Sequence, residues 1–270
     1  MFNRSKQTDK TLKGLGVHKN DTTPFSAWDI PLALVLLTRL PLPRLPEQVF
    51  TRQAQAAWAF PLSGLFVGLI ACAIGWLAMA LNLPVLACAT LLVAVLVATT
   101  GAMHEDGLAD TFDGLWGGFA AERRLEIMKD SHIGTYGVLA LGIAQLLRIS
   151  AVMVLLSNGA LTGILAACVV SRASMPLLMS ALPNARKSGL SHSVGAPSSL
   201  AVVSGLGIAV ILALLLIGTL ALLPALCAFL AAGILAVIAK VKIGGQTGDI
   251  LGASQQVSEI TFLLALAALI

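Results

Sequence analysis

Charge is scarce in this chain. Only 11% of its 270 residues are Asp, Glu, Lys or Arg, and none lies between Arg52 and His104. That excludes a soluble globular domain, in which apolar and charged residues come closer to balance. A transmembrane helix needs about 20 predominantly apolar residues, so this one uncharged stretch holds at least two. Cysteine is equally sparse: Cys72, Cys88, Cys168 and Cys227 each stand alone in apolar runs. No paired spacing suggests zinc or a disulfide framework, and the four read as packing residues. Aromatic residues make up 5%, and no basic patch is interleaved with them. The net charge of +4 therefore does not signal nucleic acid. The first residues lack the apolar core and cleavage site of a secretory signal, so residues 1–24 read as a polar, mobile cytoplasmic tail.

What fills the chain is hydrocarbon, with 57% hydrophobic residues and a mean hydropathy of +0.91. The expected fold is all-α, a polytopic membrane helix bundle with about six to seven transmembrane helices. Spans are expected near 56–81, 84–103, 134–157, 160–182, 198–219, 221–239 and 257–270, the last of them short for a crossing. The segment WDIPLALVLLTRLPLP from Trp28 is too short and proline-bounded to cross. It reads as a re-entrant or interfacial helix whose Arg39 faces head groups or a site. Residues 25–270 then form a single membrane-embedded catalytic domain. Lys and Arg gather before the first span, around Arg123, Arg124 and Lys129, at Arg186 and Lys187, and at Lys240 and Lys242. The intervening turns carry no charge, so the tail and the long loops are expected in the cytoplasm.

Against this background, seven carboxylates crowd one short segment: Glu105, Asp106, Asp110, Asp113, Glu122, Glu126 and Asp130. Asp106, Asp110 and Asp113 fall at i, i+4 and i+7 and share one face of a helix. Glu126 and Asp130 repeat the i, i+4 spacing on a second. Like charges so placed repel unless a cation neutralises them, and hard oxygen ligands select Mg²⁺, Mn²⁺ or Ca²⁺, with Mg²⁺ the default. A solvated acidic face neutralised by nearby Lys and Arg is the plainer reading; alignment at a membrane boundary weighs against it. Two helices clamping metal would suit phosphoryl transfer, with Arg123, Arg124, Lys129, Arg172, Lys240 and Lys242 available to hold phosphate. Glu105 and Glu122 fall off the spacing.

Arg148 and Arg172 stand near the middle of apolar runs, where a charge costs at least about 2.5–3.5 kcal/mol. Neither should face lipid; each either pairs with a carboxylate or lines a cavity and holds an anionic substrate group. A second polar island runs from Ile243 through Gly244, Gly245, Gln246, Thr247, Gly248 and Asp249. Its glycines permit phosphate-binding nests or simple turns, and Asp249 and Glu259 add metal-ligand capacity. His104 and His132 flank the acids. Either could bind substrate or shuttle a proton, with a structural role favoured for His132.

Together, HEDGLADTFDG, RRLEIMKDSHIGTYGVLAL, SRAS around Arg172 and GGQTGDILGA resemble the adenosylcobinamide-GDP ribazoletransferases, or cobalamin synthases. The likeness runs from Thr38 to the C-terminus. It implies that adenosylcobinamide-GDP is joined to α-ribazole or its 5′-phosphate, giving adenosylcobalamin or its phosphate and GMP, with Mg²⁺, at the bacterial inner membrane. The ribazole 5′-hydroxyl would attack the phosphorus nearer the cobinamide. On this likeness Asp106, Asp110, Asp113, Glu126 and Asp130 are the metal and catalytic carboxylates, and Asp130 could be the general base. Arg172 and the Gly244 to Asp249 loop would contact diphosphate or nucleotide. Arg39, Arg148 and His104 complete the expected site. In the family's usual second motif Arg stands where this chain has His132. A partial likeness to CDP-alcohol phosphotransferases rests on Asp110, Asp113, Gly114, Glu126 and Asp130. It breaks at Gly117 and Gly118, where that signature has Ala and Arg. A cation transporter is a further alternative, disfavoured because the acids cluster at one end. Association of subunits into a homo-oligomer stays open.

Overall fold

The structure is a computed structural model and describes residues 23–270. Most of the tail expected over residues 1–24 lies outside the described residues. In lipid, only helices and closed barrels satisfy every backbone polar group, and the described residues hold helices and no strand. Helix α1, Asp29–Leu37, leads through 3₁₀ turns to α2, Phe60–Ala80, followed by α3, Val85–Thr100, and α4, Met103–Gly117. Then come α5, Ala121–Ile127, α6, Thr135–Ser157, α7, Leu161–Ala181, and the short α8, Leu190–Val194. Helices α9, Ser199–Ile217, α10, Leu222–Ile243, and α11, Gly248–Ala267, complete the chain.

Five helical stretches are long and apolar enough to cross a membrane, or six if α3 and α4 count as one broken span. The continuous stretch Ser199–Ile243 is 45 residues, roughly 68 Å of helix at 1.5 Å per residue. That is about twice the hydrocarbon thickness, and it breaks beyond α9 at Gly218, whose φ is 63°. Helix α11 corrects the expectation of a short last span. It starts at Gly248 and is a full 20 residues long. Its middle turns carry Ser254, Gln255, Gln256, Ser258 and Glu259, all buried against protein, so hydropathy alone places its start too late.

Helix α7 is the axis of the bundle, packed against α2, α9 and α11. Small residues let the backbones approach: a Cβ added at Gly64 of α2 would strike the Cys168 carbonyl of α7. The N-terminal α1 is a buried anchor. Asp29 accepts bonds from Arg52 Nε at 2.9 Å and Trp58 Nε1 at 2.8 Å, fixing this short helix to the turns before α2.

The feature that positions the acids is the joint between α3 and α4. Gly101 and Ala102 are both left-handed, with φ of 64° and 58°, and α4 leaves α3 at 88°. The side chain of Arg39 lies over Gly101, leaving no room there for a Cβ. Helix α4 therefore does not continue the span but turns away at its end, carrying its carboxylates with it. It crosses α11 where Gly107 meets Gly252; a Cβ at Gly107 would lie 2.8 Å from the Asp249 carbonyl oxygen. That close crossing sets Asp106 and Asp110 beside Asp249.

Candidate active site

Two clefts flank α4. The larger, about 480 Å³, is lined by Glu105, Asp106, Asp110, Lys129, Asp130 and His132 among others. The smaller, about 180 Å³, is lined by Asp106, Asn184, Arg186, His192, Thr247, Gly248 and Asp249 among others. Asp106 borders both. Asp110 has Asp249, Asp106 and Asp113 as like-charged neighbours and Arg186 as the opposing charge. Burial first, and then those like charges, push its carboxyl up to about 7. Arg186 Nη1 pairs with Asp249 Oδ2 at 2.9 Å, so one guanidinium is set against several acids.

Among the described residues no three Asp, Glu, His or Cys side chains are gathered closely enough to form a ready metal site. The donor chemistry nevertheless fits a hard cation, because Asp106, Asp110 and Asp249 are neighbouring carboxylates with too little positive charge to balance them. Of the basic groups expected to hold phosphate, only Lys129 lines the larger cleft.

The remaining expected residues are engaged elsewhere. Asp113 is buried, its Oδ2 accepting the Gly134 N–H at 2.7 Å and its Oδ1 the Gly137 N–H at 2.9 Å. It thus caps the start of α6 from a neighbouring helix, and a Cβ at Gly134 or Gly137 would strike the carboxylate. Glu126 does not join the triplet; it pairs with Arg123 at 3.0 Å on the exposed surface. Arg124 donates to the carbonyls of Gly118 and Lys242. Lys242 donates to the Leu115 carbonyl at 2.7 Å and lies over the Trp116 ring, satisfying the end of α4. Lys240 is exposed, and Arg39 covers the α3–α4 joint.

For Arg148 and Arg172, read either as carboxylate-paired or as holding an anionic substrate group, the structure shows pairing. Each is 2% exposed. Arg148 binds Glu105 at 2.7 Å and Glu259 at 2.6 Å, while Arg172 Nη1 donates to the Cys168 carbonyl and lies 3.9 Å from Glu259. Gln255 donates to Glu259 at 2.6 Å and Gln256 to Glu105 at 3.1 Å. Two arginines and two glutamates form a neutral buried network tying α4, α6, α7 and α11. A charge in a membrane bundle is retained when it is paired, and these are. Sequence reasoning left Glu105 aside because it fell off the helical spacing, and that very offset points it inward.

The loop before α11 divides. Gly244, with φ of 79°, ends α10, and Gly245 packs on the Pro183 carbonyl. Gln246 donates to Asn184 Oδ1 at 2.9 Å and accepts from Ser191 Oγ at 2.6 Å, tying two loops together. These three build the loop. Thr247 caps α11 and lies with Gly248 and Asp249 along the smaller cleft. His104 lines neither cleft, being buried instead beside an apolar cavity, so the structure does not place it at the acids. Asp130 meets His132 at 2.7 Å, a contact that lowers the Asp130 carboxyl and raises the His132 imidazole. Sequence reasoning missed Arg186, Asn184 and His192, assigning the PNARKSGLSHS loop to topology alone. The density of polar side chains there was the available signal.

A multi-pass membrane protein with carboxylates facing clefts at the bend of a broken span is the class that fold and site define. The family described as cobalamin-5-phosphate synthase matches residues 29–267, and the chain belongs to that family. The adenosylcobinamide-GDP ribazoletransferase of Bradyrhizobium diazoefficiens is 43% identical over 242 residues, 89% of this chain and 93% of that protein. The one from Brucella anthropi is 45% identical over 249 residues, covering 87% and 94%. No solved structure matches the chain.

Proposed function

We propose that the protein transfers the adenosylcobinamide phosphate group from adenosylcobinamide-GDP to α-ribazole, or its 5′-phosphate, in the last steps of cobalamin assembly. A ribose hydroxyl of the ribazole other than the 5′ one, which bears the retained phosphate in the 5′-phosphate acceptor, bonds through its oxygen to the phosphorus nearer the cobinamide. The bond from that phosphorus to the bridging oxygen breaks, and GMP leaves with that oxygen. The observation that carries this reading is membership of the family together with carboxylates at two adjoining clefts. Oxygen donors crowded beside one guanidinium suit a diphosphate brought in with a divalent cation. Mg²⁺ would be held by Asp106, Asp110 and Asp249, where it would neutralise phosphate charge.

The chain's own residues supply the rest. Lys129 in the larger cleft and Arg186 in the smaller offer fixed positive charge to phosphate oxygens. Asp130, oriented by His132, accepts the hydroxyl proton; in a loose phosphoryl transition state, position counts for more than basicity. Asp113 fixes the start of α6 and thereby the loop that carries Asp130. The bilayer is the bacterial inner membrane with both clefts toward the cytoplasm, supported by the basic residues of the same loops.

The test is product formation by purified protein in lipid nanodiscs. GMP and adenosylcobalamin should appear together only when adenosylcobinamide-GDP, α-ribazole and Mg²⁺ are all present. Release of CMP from a CDP-alcohol, with no GMP from adenosylcobinamide-GDP, would overturn the reading.

A further inference from the structure

A third cavity, of about 70 Å³, lies beside the smaller cleft, and Met103, Ser191 and Gly248 line both. Its other walls are apolar, among them Phe60, Met175, Met179 and Leu251. One wall is His104, 2% exposed, whose Nε2 has no hydrogen-bond partner among the described residues. A buried polar nitrogen left unbonded costs about 1–3 kcal/mol, so such an atom in an apolar chamber marks where a ligand atom is wanted.

We infer that this cavity seats the fused aromatic base of the nucleoside acceptor, with His104 Nε2 against the base's free ring nitrogen. The inference rests on the reaction assigned above and adds the place and the selectivity of one substrate. The base of α-ribazole is a planar dimethylated benzimidazole, with hydrocarbon over most of its edge and one ring nitrogen not bonded to the sugar. A largely apolar chamber with one unpartnered polar atom complements that shape, the Ser191 hydroxyl being already bonded to Gln246 and Asn184. Guanine does not fit the same walls, because its several donors and acceptors would be buried unpaired. The corrin, far larger and fringed with amides, cannot enter. At about 70 Å³ the closed cavity is smaller than the roughly 150 Å³ that holds a benzene ring. The base therefore enters by displacing the cavity's three methionines, unbranched, polarizable chains that can move to admit a flat ring and contact its face. Because the chamber shares its walls with the cleft at Asp106 and Asp249, a ribose at the opening carries its attacking hydroxyl toward the acids.

The test uses the intact protein in nanodiscs. Met179→Trp fills the chamber, and should raise KM for α-ribazole tenfold or more while KM for adenosylcobinamide-GDP stays within twofold. The wild type should favour α-ribazole at least tenfold in kcat/KM over the analogue whose free ring nitrogen is replaced by CH. His104→Phe should shrink that preference to under threefold. A rise in KM for adenosylcobinamide-GDP instead, or an undiminished preference in His104→Phe, would overturn the inference. Should Met179→Trp fail to fold, Met175→Phe fills the neighbouring wall and is read in the same way. Absence of GMP release by the wild type would reject the assigned reaction itself, whereas wild-type turnover with unmoved selectivity would reject only the chamber.

Discussion

Replacing Arg148 with Met separates the two roles that a membrane-buried arginine can have. Arg148 contacts Glu105 at 2.7 Å and Glu259 at 2.6 Å, and both carboxylates are nearly inaccessible to solvent. Removing it leaves Glu105 with only Gln256, at 3.1 Å. Glu259 keeps Gln255 at 2.6 Å and a distant Arg172 at 3.9 Å. Losing one partner of a buried ion pair costs about 3–5 kcal/mol, since the survivors stay desolvated. At about 2–4 °C per kcal/mol for a chain of this size, the midpoint of thermal unfolding should fall by about 6–20 °C. The assay is thermal unfolding of the purified variant in nanodiscs, paired with steady-state kinetics at low temperature. KM for adenosylcobinamide-GDP should stay within threefold. Adding Glu105→Gln alone should recover most of the loss, because Arg172 and Glu259 then balance each other and no uncompensated charge remains. An unchanged midpoint with KM raised tenfold or more would refute the assignment and return Arg148 to the substrate site.

Asp113→Ala removes both acceptors from the Gly134 and Gly137 N–H groups. It should cost about 1–2 kcal/mol, as helix-capping losses do, and Gly137→Ala should destabilise similarly by forcing a Cβ into the carboxylate; thermal unfolding reads both. Because the Asp110 carboxyl is pushed up to about 7, protons compete with the cation below that pH. Divalent-cation affinity of the protein without substrate, followed by Mn²⁺ electron paramagnetic resonance, should fall as pH drops below about 7, approaching tenfold per unit, and level off above it. The same titration on Asp110→Asn should be weak and nearly flat.

The helices were legible in the sequence because runs of apolar residues without charge have no other way to exist in lipid. The start of α11 was not, since Gln255, Gln256 and Glu259 look like a loop until Arg148 is seen opposite them. Helical spacing put Asp106, Asp110 and Asp113 on one face, and they do share a helix. Spacing cannot say what that face meets along its length. Asp106 opens on both clefts, while Asp113, two turns on, meets the N-terminus of α6. Partners separated by 111 residues in the chain, as Arg148 and Glu259 are, leave no local mark. The contribution of Asp249 likewise depended on Gly107 and Gly252 letting two helices touch, a matter of tertiary contact. Glu126 and the basic residues Arg123, Arg124 and Lys242 had the right types near the right place, yet each found a nearer partner.

The most direct measurement is single-turnover GMP release by Asp106→Asn, Asp110→Asn and Asp249→Asn alongside Glu126→Gln, each at saturating Mg²⁺ and both substrates. The three cleft variants should lose at least a hundredfold in rate while unfolding within 3 °C of wild type, about 1 kcal/mol, and Glu126→Gln should stay within threefold. Near wild-type rates in the cleft variants, or a collapse in Glu126→Gln, would contradict the placement of phosphoryl transfer at the crossing of α4 and α11.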